Sequence, residues 1–113
     1  MTIQAIKLFA PTVLTTGAVT LFTMPPAPSN VVLSRGLMRF TNTDSAGHTV
    51  TAYAVPLSGS ALVANTFCPG VTVPANSYLD VAIPVMGAGD FLQALASVGT
   101  VVSVQAMDGI LIS

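Results

Sequence analysis

His48 is the one histidine of the chain, and it follows Thr43-Asp44-Ser45-Ala46-Gly47 directly. Acyl-transfer chemistry needs a nucleophile, a base and an orienting group that converge on one point. Ser45, His48 and Asp44 are those residue types, but all three fall in one short polar turn, where Asp and Ser bond nearby backbone and Gly accepts positive φ. The G-x-S-x-G elbow is absent, and Ser58-Gly59-Ser60 reads as a flexible turn. His48 is therefore read as a turn-edge histidine facing solvent or a backbone group. No catalytic residue is assigned, and the chain is read as a non-enzyme.

Metal and cofactor chemistry finds equally little to work with. One His and one Cys cannot supply a three-ligand zinc site. The four acids, Asp44, Asp80, Asp90 and Asp108, are scattered singly at or beside turns, where local backbone bonding accounts for them. Gly87-Ala88-Gly89 lacks the lysine and the following helix of a phosphate loop, so it reads as a turn. Cys68, beside Pro69-Gly70, reads as a small apolar side chain at a strand end. No metal and no cofactor is expected.

Arg35 and Arg39 are a more informative pair. On an unbroken strand they share a face with Leu37, although a bulge at Gly36 would break that relation. Arginine beside apolar side chains is typical of interface anchors, with aspartates of a neighbouring subunit as natural partners.

The elements that carry these residues are strands. Residues 36–56, GLMRFTNTDSAGHTVTAYAVP, read as a hairpin: β-branched and aromatic residues recur in 37–42 and 49–55 around the polar turn. Alternation assigns Met38, Phe40, Val50, Ala52 and Ala54 to the core. It leaves Arg35, Leu37, Arg39, Tyr53 and Val55 on the outer face as candidates for a subunit contact. Further strands are expected over 18–24, 31–33, 71–73, 78–84, 91–97, 101–107 and 110–112, with Asp108-Gly109 as a hairpin or bulge. Pro25-Pro26-Ala27-Pro28 is expected to run extended. Residues 1–9 are expected as an extended segment that contacts neighbours. The tract 57–67 suits a loop.

These add up to a single all-β domain: an antiparallel, jelly-roll-like β-sandwich of about eight short strands. Residues 1–30 form an apolar, Pro-rich N-terminal arm with the first strands, and residues 31–113 the sandwich body.

Composition narrows the function class. Of 113 residues, 52% are hydrophobic and only 6% charged, with three cations, four anions and a net charge of −1. Soluble chains average roughly 25% charged residues. So few cations leave counterion release nothing to act on, which excludes nucleic-acid binding as a primary role. Mean hydropathy is +0.80, yet the charge-free stretch 8–34 is interrupted by Pro11, Thr15-Thr16-Gly17 and Pro25-Pro26. It is read neither as a membrane span nor as a secretory leader. A surface this poor in charge is one made to be covered by other protein.

A resemblance points the same way. The runs TNTDSAGHTVTAYAVPLSGSALVAN, VTVPANSYLDVAIPVMGAGDFLQALAS and VVSVQAMDGILI resemble small virion proteins of tailed bacteriophages. In those, a strand ending in T-N-T leads to a V-T-V-Y-like strand. A Pro-Ala/Gly turn follows, then a G-D strand ending in A-x-A-S and a terminal strand near a Gly. The resemblance covers about residues 36–112. It implies a capsid decoration or cement subunit in the virion, bound to its own copies and to the major capsid protein or other virion proteins as a homo-oligomer. The alternative is a tail or fibre component, or a receptor- or carbohydrate-binding module whose contacts would come from Tyr53, Tyr78, Asn65 and Asn76. It carries no catalytic residues.

Overall fold

In the computed structural model, which describes residues 2–26 and 31–113, nine strands form two antiparallel sheets. The strands are β1 (Ile3–Ala5), β2 (Thr12–Val13), β3 (Val19–Thr23), β4 (Val32–Asn42), β5 (His48–Val55), β6 (Thr66–Val73), β7 (Ser77–Ile83), β8 (Phe91–Ala96) and β9 (Val102–Ile112). One sheet has the order β1-β9-β4-β7, with β2 paired to β9 further along the same edge. The other has the order β3-β8-β5-β6. From β2 onward every connection except β5–β6 passes from one sheet to the other. Interleaving of this kind is the wiring of a jelly roll, as the sequence predicts. The extended link expected at Pro25-Pro26-Ala27-Pro28 lies partly outside the described residues.

The hairpin expected over 36–56 does not exist as a pair. β4 bonds to β7 and β9, whereas β5 bonds to β6 and β8, so the polar turn is a corner between sheets. A short Asp/Ser/Gly turn satisfies its own backbone equally well in either role, so local composition does not discriminate between them. The residue that fixes the corner is Asn42, 1% exposed. Its Nδ2 donates to the carbonyls of Ala46, Val73 and Pro74 at 2.9, 3.1 and 3.3 Å. Its Oδ1 accepts from the Asp44 N–H at 3.0 Å.

Between the sheets lies the core, which contains Met38, Phe40, Val50 and Ala52 as alternation predicts, together with Leu92, Ala94, Ala96, Val102 and Val104. Full burial of a Leu, Met or Phe side chain stabilises by roughly 1.5–3 kcal/mol. Ala54, assigned to the core, is only half-buried. Leu8, Phe9, Leu14, Met24 and Met86 join the core from outside the strands, where no periodicity marks them. Ile3–Ala5 is an edge strand on β9, with Thr2 and Ser113 exchanging backbone hydrogen bonds at 3.1 and 2.9 Å.

Two irregularities matter for the surface. In β4 the register shifts between Ser34 and Leu37, and Arg35 takes φ 55°. Burial accordingly changes phase, from Leu33 to Gly36, Met38, Phe40 and Asn42. Gly36 is required there, because a Cβ would sit 2.8 Å from the Ile83 Cβ. β6 is longer than the expected 71–73 and carries Cys68 inside it. Pro69 is tolerated because β6 is the free edge of its sheet, where a missing N–H costs no ladder bond. At the other end of the chain β9 runs unbroken through Asp108-Gly109; its own extra residue is Met107, between Ala106 opposite Met38 and Asp108 opposite Leu37.

Candidate functional site

The residues that could do chemistry are committed to the fold. His48 Nε2 and Asp44 Oδ2 stand 2.7 Å apart, and Asp44 Oδ1 accepts the Ser45 N–H at 2.8 Å. The His48 hydrogen bond, and next the Ser45 N–H, hold the Asp44 carboxyl below the usual carboxylate range. Asp44 also receives the Asn76 N–H on its backbone carbonyl at 3.0 Å, so the pair clamps the corner. Asp90 accepts the N–H groups of Gly87 at 2.9 Å and Leu57 at 3.3 Å, and Asp108 accepts that of Gly109 at 2.8 Å. Among the described residues no three His, Cys, Asp or Glu side chains converge. Cys68 lies inside β6 rather than at a strand end; it is 3% exposed, and burial pushes its thiol up.

The five contact candidates, Arg35, Leu37, Arg39, Tyr53 and Val55, do not form one patch. Arg35, Leu37 and Arg39 lie on β4 and Tyr53 and Val55 on β5, in opposite sheets. Val55 is fully buried, a correction to its placing on an exposed face. It stands outside the inter-sheet core, and the chain after β5 returns against that strand as a 3-10 turn at Val63–Asn65. Alternation identifies a face but cannot tell whether the chain's own loop covers it.

Both arginines find their aspartates within the chain, where a neighbouring subunit was expected to supply them. Arg39 and Asp80 are direct cross-strand neighbours, joined by a bidentate pair with Nε–Oδ1 2.7 Å and Nη2–Oδ2 2.9 Å. That hydrogen bond holds the Asp80 carboxyl low and raises Arg39. The guanidinium also lies 4.0 Å from the Tyr78 ring centroid. Arg35, far more exposed, reaches Asp108 only at 3.8 Å.

The sequence does not disclose where apolar side chains lie exposed on the sandwich. Eleven large apolar side chains are exposed among the described residues. Six of them, Ile3, Val32, Leu57, Leu62, Val63 and Val85, fall at the end where β4 starts and β5 finishes, and they include the most exposed; Val13, Val71, Tyr78 and Val98 lie toward the corner end. Val63 is 93% exposed and Val85 72%. The signal in the sequence is the run Ser60-Ala61-Leu62-Val63, whose apolar residues belong to a loop. On the outer face of the first sheet, nearer the opposite end, a depression of about 390 Å³ is lined by polar side chains around Tyr78.

No protein-family model matches the chain, and no curated protein matches it in sequence. Solved structures do match in fold. A subunit of the Bacillus endospore appendages, described as a family of disulfide-linked pili, aligns at TM-score 0.57 and 13% identity over 99% of this chain and 88% of its own. A chain of the infectious bursal disease virus Gx strain aligns at TM-score 0.58 and 13% identity over 98% of this chain and 32% of its own. A chain of the T13 particle of the same virus aligns at TM-score 0.53 and 15% identity over 97% of this chain and 30% of its own. The protein thus spans about a third of the virus chains. It shares a β-sandwich with subunits of a viral particle and a pilus, both structural assemblies; none of these is a phage protein.

Proposed function

We propose that the protein is a non-enzymatic structural subunit of a virus particle, most concretely a phage capsid decoration or cement protein, homo-oligomeric and bound to the major capsid protein. The apolar end carries this reading. Six large apolar side chains stand uncovered at one end of a chain with seven charged residues. Such a patch is stabilised when another protein removes it from water. Arg35 and Leu37, on the adjoining part of β4, serve as its rim; Arg39 and Tyr53 are secondary contacts on the two outer faces. Binding to the assembled shell alone stabilises the shell by mass action, with no chemical step.

The expected result is co-purification with intact particles at fixed stoichiometry, and loss of heat and chelator resistance when the protein is removed. Particles equally resistant without it overturn the cement role. A tail or fibre position is the second reading, favoured by the match over nearly the whole length of the pilus subunit. Imaging the particle at side-chain resolution separates the two.

A further inference from the structure

On the outer face of the first sheet, β7, β4 and β9 lie side by side, so Tyr78 neighbours Thr41 and Asp80 neighbours Arg39, which in turn neighbours Gln105. The corner residues Asn76 and Ser77 close one end of the resulting depression. Two other long polar side chains of the protein are engaged within the chain. Gln93, on the other sheet, donates to Thr20, and Asn65 donates to the Ser60 carbonyl. Around the depression the side-chain polar groups of Thr41, Asn76, Ser77 and Gln105 have no hydrogen-bond partner among the described residues. The Tyr78 hydroxyl has none either.

The charge at the site is already cancelled. Arg39 gives two of its donors to both oxygens of Asp80, and no other charged residue lines the depression. An anion would meet a cation whose charge is already paired, and a metal ion a carboxylate engaged on both oxygens. An apolar ligand would bury amides and hydroxyls without compensation. What remains is a ligand that is neutral, rich in adjacent donors and acceptors, and able to lay C–H groups against an aromatic ring. Planar amide side chains, each with two donors and an acceptor oxygen, suit vicinal hydroxyls. The Arg39 guanidinium lies over one face of the Tyr78 ring, which fixes the ring and leaves its other face as the pre-formed wall.

We infer that this depression binds a neutral saccharide, with the Tyr78 ring as the platform and Asn76, Gln105 and Thr41 as the hydroxyl-reading groups. It locates at one place the carbohydrate-binding alternative that the sequence leaves diffuse. The size agrees: about 390 Å³ lies within the range of small-molecule sites. A second depression of about 220 Å³, bordered by Val13, Ser103 and Thr100, shares Thr43 with the first. Two adjacent depressions suit a chain of more than one ring. The inference does not depend on the apolar end as an assembly surface, although Arg39, a secondary contact in that reading, lines the depression.

The test is titration of the purified protein with three neutral oligosaccharides, maltohexaose, cellohexaose and chitohexaose, followed by amide chemical shifts and calorimetry, with heparin as the anionic control. The expected result is millimolar or tighter binding of at least one neutral chain, insensitive to salt, with shifts centred on Asn76, Tyr78 and Gln105. Tyr78→Ala and Gln105→Ala should each weaken it about tenfold or more. Asn76→Gly is a second probe that suits the backbone, since residue 76 already holds φ 51°. No binding by any of the three, shifts elsewhere on the protein, or full affinity in the folded Tyr78→Ala variant overturns the inference. Binding of heparin alone, abolished by salt, also overturns it.

Discussion

The two ends of the sandwich are built on opposite principles. At the corner end the chain turns from β4 into β5 around one buried amide: Asn42 ties together Ala46, Val73, Pro74 and Asp44, and Asp44 pairs with His48. Every one of those bonds is made inside the chain, so the turn is held without an outside partner. At the other end exposed Leu57, Leu62 and Val63 belong to a long loop, whose one side-chain anchor within itself is Asn65, bonded to Leu62 and Ser60. That end keeps the most exposed apolar side chains in water. The difference separates the end where the fold is specified from the end that the proposed assembly would use.

The largest effect is expected at the corner. Asn42→Ala removes one side chain but leaves two or more buried backbone groups without partners, each costing about 1–3 kcal/mol. A loss of about 3 kcal/mol is expected in urea unfolding, and a change under 1 kcal/mol would show that the corner is not the anchor. Gly36→Ala comes next. The added Cβ meets the Ile83 Cβ at 2.8 Å, not a flexible chain end, so the strands must separate locally, at about 1–3 kcal/mol.

Acid is a milder probe of the same contrast. Asp44 and Asp80 are held below the ordinary carboxylate pKa of about 3.9 by His48 and Arg39. Groups depressed in the folded state contribute stability that is present above their unfolded pKa and lost as pH falls through the folded one. Unfolding free energy should therefore be level near neutrality and decline below about pH 4. The decline should be shallower in an Asp44→Asn, Asp80→Asn double variant; an unchanged slope would remove these two pairs from the account. The smallest effect on stability belongs to the apolar end. Val63→Asp should stay within about 0.5 kcal/mol of the parent, since the side chain is 93% exposed and supports nothing.

How far the sequence discloses this varies by element. β8 and β9 are legible because Leu92, Ala94, Ala96, Val102 and Val104 alternate over a fully packed face. The bulge at Arg35-Gly36 is legible too, because a glycine interrupts an otherwise continuous strand. The wiring of β4 and β5 into different sheets is not. It depends on Asn42 finding carbonyls about thirty residues away, and a buried asparagine looks in sequence like any turn residue. Val55 was misplaced for a related reason: the cover it receives is a tertiary fact. Of the surface, the Arg39–Asp80 pair is visible only once register is known, whereas the deficit of charge is plain from composition alone.

If the apolar end is an assembly surface, as proposed, it governs the protein's association. Sedimentation mass of the purified protein is to be measured across a concentration series, for the parent and for a Leu62→Asp, Val63→Asp double variant. The parent is expected to associate beyond the 11.5 kDa chain and the variant to remain folded but revert to the monomer. A parent that stays monomeric at every concentration, or a folded variant that associates as the parent does, would contradict it.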